Sequence, residues 1–302
     1  MSPRLLAYLR LMRPANIVTA FADILAGCAI AFALGSGEEI LLFARTNGSQ
    51  ILLLLVSTLG LYGGGVVFND VFDFNLDKVE RPERPLPSGA ASLKGAILLG
   101  TGLFLLGVLA ALGVSWQSGL LALTIVLLVL SYNSWAKHHT VFGPVNMGLC
   151  RAGNLLLGVS ILPTILFQIW PIGTIPLLYI GAITLVSQGE VHGGNRKALQ
   201  LAYGMYVVVF VIVIAFGLVH RKNVLYALPF IAFLVYLTLP PLQKAIKSLQ
   251  PQDIMKAVKA GVIALIVLNS AIAAIFGGII WGLFIVCLLP LSRWLAKAFA
   301  VT

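Results

Sequence analysis

Asn69-Asp70-Val71-Phe72-Asp73-Phe74-Asn75-Leu76-Asp77 closes an apolar segment with three carboxylates at i, i+3 and i+7. On a helix those positions share one face. Three aspartates that close repel one another and are costly to desolvate together, so they need a counter-cation. Oxygen-only ligands suit a hard ion such as Mg²⁺, which keeps some of its water and also binds substrate phosphates. The chain has ten Asp and Glu in 302 residues, and five of them (Asp70, Asp73, Asp77, Glu80 and Glu83) fall within 14 positions. In a chain this poor in acid, the concentration reads as a metal–phosphate site at the end of a membrane helix.

Composition supports the membrane reading. The chain is 60% apolar and 10% charged, with a mean hydropathy of +1.01, whereas soluble domains average about 25% charged residues. Apolar runs near span length recur throughout, at about 15–35, 51–69, 94–114, 118–135, 142–162, 170–188, 200–219, 224–242, 257–276 and 277–298. The last two are divided only by Gly277-Gly278. The expectation is an all-α, polytopic integral membrane bundle of nine or ten transmembrane helices, a single domain over 1–302. A transmembrane barrel would show short alternating segments instead.

The net charge of +10 does not point to nucleic acid, because the basic residues lie in short loops between apolar spans. Sixteen of the twenty Lys and Arg fall on the side of the N-terminus. Arg45, Arg221 and Lys222 fall on the other side, and Arg151 lies within a span. The positive-inside bias then puts the N-terminus and both long polar loops, 70–93 and 189–199, on the cytoplasmic face of a multi-pass cell-membrane protein in contact with anionic lipid. Cys28, Cys150 and Cys287 are far apart in apolar runs and form neither a metal spacing nor a disulfide framework. Trp116, Trp135, Trp170, Trp281 and Trp294 sit near span ends, as an interfacial belt would place them.

After Asp77 the chain continues Lys78-Val79-Glu80-Arg81-Pro82-Glu83-Arg84-Pro85-Leu86-Pro87-Ser88-Gly89. Arginines directly after carboxylates can fork onto phosphate oxygens, and the prolines forbid a continuous helix. From Asn69 to Gly89 this stretch resembles the first aspartate-rich motif of the UbiA superfamily of intramembrane prenyltransferases. Arg13-Pro14-Ala15-Asn16 is similar to that family's N-terminal signature, and Tyr132 with Lys137 to its Tyr…Lys element. The resemblance implies a bundle around a central cavity and Mg²⁺-assisted ionisation of an isoprenyl diphosphate. The prenyl group is then transferred to an aromatic or other lipophilic acceptor. By position it implies that Asn69, Asp70, Asp73 and Asp77 hold Mg²⁺ and orient the diphosphate, that Arg81, Arg84 and Lys137 balance its charge, and that Asn16 lies near the cavity.

The family's second motif, Asp-x-x-x-Asp followed by Arg-Lys, corresponds here to Glu190-Val191-His192-Gly193-Gly194-Asn195-Arg196-Lys197. Glu190 fits the first acid as a catalytic metal ligand. The second acid is replaced by Gly194 or the neutral Asn195, leaving Asn195, Arg196 and Lys197 as substrate-binding candidates and His192 as a poor partner for hard Mg²⁺. The Glu-Val-His-Gly-Gly-Asn form resembles the EboC-like branch of UbiA-related proteins. That alteration also admits a catalytically altered protein that binds or passes on a prenyl lipid. Asp23 and Arg151, inside apolar spans, either pair with each other or line the acceptor cavity.

Overall fold

The computed structural model describes residues 2–35, 40–190, 193–220 and 222–299, so His192 and Arg221 lie outside the described residues. The described chain is helical. In order come α1 (Pro3–Met12), α2 (Pro14–Gly35), α3 (Ile40–Phe72), α4 (Phe74–Glu80), α5 (Leu93–Leu112), α6 (Trp116–Ser134), α7 (Phe142–Val159) and α8 (Pro163–Ile169). There follow α9 (Thr174–Ser187), α10 (Arg196–Val219), α11 (Leu228–Ser248), α12 (Pro251–Gly277), α13 (Ile279–Val286) and α14 (Leu288–Ala298). Among the described residues, nine segments are long and apolar enough to cross a membrane.

Local chemistry sets the breaks. Ser2 caps α1 by accepting from the Leu5 amide at 3.3 Å, with Pro3 in the first turn. Pro14 cannot continue that helix. Arg13 before it takes a left-handed conformation (φ 48°), and α2 starts anew. α3 is far longer than the 51–69 run suggests. Its 33 residues span about 50 Å, against a hydrocarbon core of about 30 Å, which lets its C-terminal end carry Asn69 and Asp70 to the bundle end. α11 keeps Pro240 and Pro241 inside one helix.

α2 and α12 are buried along most of their length and form the centre, as helices that are apolar all round do. Small residues set the closest approaches. A Cβ on Gly27 of α2 would lie 2.4 Å from the Leu155 carbonyl oxygen of α7, and one on Gly60 of α3 would lie 2.4 Å from the Leu103 carbonyl oxygen of α5. Leucines and valines such as Leu98, Leu127 and Val219 are exposed on the periphery, as a lipid-facing surface requires. Trp116, Trp135, Trp170 and Trp294 are exposed, but Trp281 is buried. Its ring centroid lies 6.1 Å from that of Phe32, so it packs the core rather than a belt. Cys287 is exposed, unlike the buried Cys28.

The crossing count turns on α7 and on the last segment. The 142–159 helix carries Asn146, Arg151 and Asn154, all buried, and is less apolar than the nine spans. It nonetheless traverses the bundle. The turn after α6 and the loop after α9 meet at one end, where Gln188 Nε2 donates to the Thr140 carbonyl at 3.2 Å, and α7 with α8–α9 makes the round trip between them. At the chain's end, Trp281 meets Phe32 near the end of α2, and Ser292 Oγ donates to the Ala15 carbonyl at its start, 3.0 Å away. α13 and α14 therefore run back along α2 as a full crossing.

Candidate functional site: a charged rim on an apolar cavity

α2, α3, α6, α7, α9 and α12 surround a cavity of about 370 Å³. Its walls are mostly aliphatic, from Leu61, Val129, Ile183 and Leu265 among others, while Arg13, Asn16, Asn69, Tyr132, Asn133 and Ser187 bring polar groups to it. Of the residues that the sequence singled out, Asn16, Asn69, Tyr132 and Arg151 line it.

The aspartates stand at the rim. α3 ends at Phe72, but helical hydrogen bonding crosses the junction: the Asp73 amide donates to the Asn69 carbonyl (3.0 Å) and the Asp77 amide to the Asp73 carbonyl (2.8 Å). Asn69, Asp70, Asp73 and Asp77 thus stay on successive turns. Each carboxylate has a basic partner. Arg13 Nη2 reaches Asp70 at 2.8 Å, Arg84 Nη1 reaches Asp77 at 2.7 Å and Asp70 at 3.6 Å, and Lys137 pairs with Asp73. Three acids face three cations. This is how the protein relieves the repulsion that the spacing predicts.

Arg84 is held by its own loop. Leu86 and Ala91 are buried in a small separate core with Ala7 and Leu11 of α1, Val67 of α3 and Ala96 of α5. The Ala91 amide donates to the Pro85 carbonyl at 2.9 Å, and Gly89 turns at φ 77°, a conformation glycine adopts without strain. The prolines and this apolar anchor fold the segment back, so Arg84 bridges two acids while Arg81 stays exposed.

Two contributors escaped the sequence reading. Asn133 Oδ1 accepts from Asn69 Nδ2 at 3.1 Å, and its own amide donates to the Gly65 carbonyl at 3.3 Å. Asn133 therefore fixes how the Asn69 amide presents itself, and an amide inside an apolar span was the available signal. Arg13 was visible only as part of a motif. Its left-handed backbone and its bond to Asp70 place it at both the cavity and the rim.

The second loop is arranged differently. Glu190 is half-buried and makes no side-chain hydrogen bond or ion pair among the described residues. Burial pushes its carboxyl above the ordinary carboxylate range, and the charges of Arg81 and Lys259 pull it part of the way back. The Lys137–Asp73 pair and the Gln188–Thr140 bond bring the two polar loops to one end of the bundle. Asn195, expected to face substrate, is exposed, and its Oδ1 accepts from the Lys197 amide at 2.9 Å as the N-cap of α10. Such a cap satisfies one of the free amides at the helix start. Arg196 and Lys197 are exposed in the first turn of α10 and form no ion pair among the described residues.

Among the described residues, no three His, Cys, Asp or Glu converge as a ready metal cage. The donor set still fits Mg²⁺. The rim offers carboxylate oxygens on three successive helical turns, with cations beside them that a phosphate would accept.

The sequence profile described as the UbiA prenyltransferase family matches residues 24–258. Curated relatives are similar over part of their length. The digeranylgeranylglyceryl phosphate synthase of Methanosarcina mazei is 31% identical over 198 residues, 63% of this chain and 65% of that protein. The enzyme of the same name from Methanosarcina barkeri is 31% identical over 169 residues, 53% and 56%. The chain thus spans between half and two thirds of these relatives. A UbiA homolog from Aeropyrum pernix superposes with a TM-score of 0.70 at 14% identity, covering 85% of this chain and 96% of that one. A UbiA homolog from Archaeoglobus fulgidus, bound to GPP and Mg²⁺, does so with a TM-score of 0.56 at 16% identity, covering 93% and 99%. These structures share the fold.

Proposed function

The chain belongs to the UbiA prenyltransferase family, and from that premise we propose that it transfers a prenyl group from an isoprenyl diphosphate to an aromatic or other lipophilic acceptor inside the bilayer, with Mg²⁺. The observation that carries this reading is the charge-balanced rim of three aspartates and three cations on an apolar cavity.

Asp70, Asp73 and Asp77 would hold the metal, with Glu190 as the acid of the opposite loop. Mg²⁺, when bound, neutralises charge on the leaving diphosphate. The protein's share is positional. With the carboxylates given to a metal, Arg13, Arg84 and Lys137 would be free to donate to phosphate oxygens, with Arg81 on the same loop as Arg84. Asn69, braced by Asn133, orients the diphosphate, and Asn16 faces the cavity. The aliphatic walls keep water from an electron-poor prenyl carbon. The exposed Arg196 and Lys197 add to the positive field that draws an anionic donor to this end.

The whole chain serves as one domain, with the N-terminus and both loops cytoplasmic, as the excess of basic residues at that end supports. The Glu190–Asn195 sequence supports placement in the EboC-like branch. A second reading, binding of a prenyl lipid without turnover, is favoured by the Asn195 cap, which leaves Glu190 as the acidic side chain of that loop. Incubating purified protein with labelled prenyl diphosphates, Mg²⁺ and a membrane-lipid extract separates the two. Chelator-sensitive labelled lipid supports transfer, whereas Mg²⁺-dependent diphosphate binding without product supports the second reading.

A further inference from the structure

A second polar centre lies deeper in the same cavity. Asp23 follows Asn16 by seven residues on α2, about 10 Å further along the axis. Its carboxylate is buried and accepts from Arg151 Nη1 (2.7 Å), Asn154 Nδ2 (2.9 Å) and Asn269 Nδ2 (2.6 Å). Arg151 Nη2 donates to Thr19 Oγ1, and the guanidinium lies 5.2 Å from the Tyr62 ring centroid. Asn154 Oδ1 in turn accepts from Thr58 at 2.6 Å. Charge at membrane depth is costly and is kept where it serves a cavity or a partner.

The network is lopsided. Asp23 takes three donors, while Arg151 uses two of a guanidinium's five N–H groups and finds no further acceptor among the described residues. Arg151, Tyr62 and Asn154 line the cavity and Asp23 does not. The unused capacity of Arg151 is N–H donation beside a mostly aliphatic chamber, held in place by a carboxylate behind it. An aliphatic guest leaves those donors unmet, and an oxygen-bearing guest satisfies them.

We propose that Arg151 is a recognition residue for the acceptor substrate, binding a carboxylate, carbonyl, phenolic or phosphoryl oxygen at the deep end of the cavity while the acceptor's nucleophilic atom points to the rim. Asp23 is its positioning residue. The proposal rests on the prenyl-transfer reading and narrows the acceptor to molecules with two polar ends, excluding pure hydrocarbons.

Two probes matched in shape, para-pentylbenzoate and 1-isopropyl-4-pentylbenzene, test this by calorimetric binding to the purified protein in detergent. Wild type is expected to prefer the benzoate by about tenfold or more. The double variant Asp23→Asn with Arg151→Gln removes both charges and keeps hydrogen-bonding amides, and it should bind the two probes equally. Its melting temperature without probe reports whether it folds. Should it not fold, Arg151→Met decides, because Asp23 retains two amide donors; it too should lose the preference. No preference in wild type, or a preference retained in a folded variant, overturns the proposal. Mg²⁺-dependent geranyl diphosphate binding is measured on the same preparation. Its absence counts against prenyl transfer, whereas its presence without a probe preference counts against Arg151 alone.

Discussion

Asp70, Asp73 and Asp77 each face a cation from a different part of the chain, and that changes what their removal should do. Spacing alone suggests that neutralising one acid relieves repulsion and leaves stability unchanged or higher. With Arg13 and Arg84 gathered on Asp70, Asp70→Asn should instead destabilise the metal-free protein by about 1–3 kcal/mol. Asp73→Asn should cost less, since its carboxylate is 20% exposed against 7% for Asp70. Both should lose Mg²⁺-dependent diphosphate binding. Calorimetric titration with melting curves checks both halves, and undiminished affinity in both variants refutes the metal assignment. Glu190 yields a pH signature. Its folded carboxyl sits above the unfolded value of 4.5, so the folded state holds its proton more tightly. Stability is then lost as pH rises from about that value through the raised one. Glu190→Gln should melt higher than wild type near neutral pH without metal, and the gap should close below the ordinary carboxylate range. A gap that persists in acid would sink this account.

The helices meet through glycine contacts that bring backbones together. On Gly60→Ala the new Cβ would press on the Leu103 carbonyl and the Gly107 amide, backbone atoms that cannot swing aside. α3 and α5 must then separate, at about 1–3 kcal/mol. Gly102→Ala on α5 meets open space and should be neutral or slightly stabilising. Unfolding in mixed detergent compares them, and equal stabilities would show that the α3–α5 contact is looser than the geometry implies. At this scale most helices were legible, because apolar runs bounded by polar turns have few alternatives in a bilayer. The extension of α3 to Ile40 was not. Arg45, Thr46 and Asn47 read as a loop, whereas Asn47 Nδ2 donates to the Phe43 carbonyl within a helix. α1 was missed because ten residues, Pro3–Met12, are too few to show a span. Its docking by Leu11 into the core of the Arg84 loop depends on partners far along the chain.

For the whole molecule, the prediction concerns sidedness. The Lys137–Asp73 pair and the Gln188–Thr140 bond place both polar loops at one end. Single cysteines at Glu83 and Gln188, on a background with Cys28, Cys150 and Cys287 replaced, should label from the same membrane side, the cytoplasmic one. Labelling from opposite sides breaks the composite site.

The amino-acid order by itself determined the membrane class, the approximate spans, the identity of the acidic cluster and the basic face it belongs to. These follow from local composition and periodicity, which act within a few turns of chain. Tertiary structure decided which charges meet. Arg13 on Asp70, Lys137 on Asp73 and Arg151 on Asp23 join positions between 57 and 128 residues apart, and the packing of α2 against α3 and α7, and of α6 against α3, brings them together. It also set Asn195 at the start of α10, where its side chain accepts from the Lys197 amide as a cap. Whether a polar residue serves the cavity or its own backbone depends on where the nearest unsatisfied group lies, and that is a property of the folded arrangement.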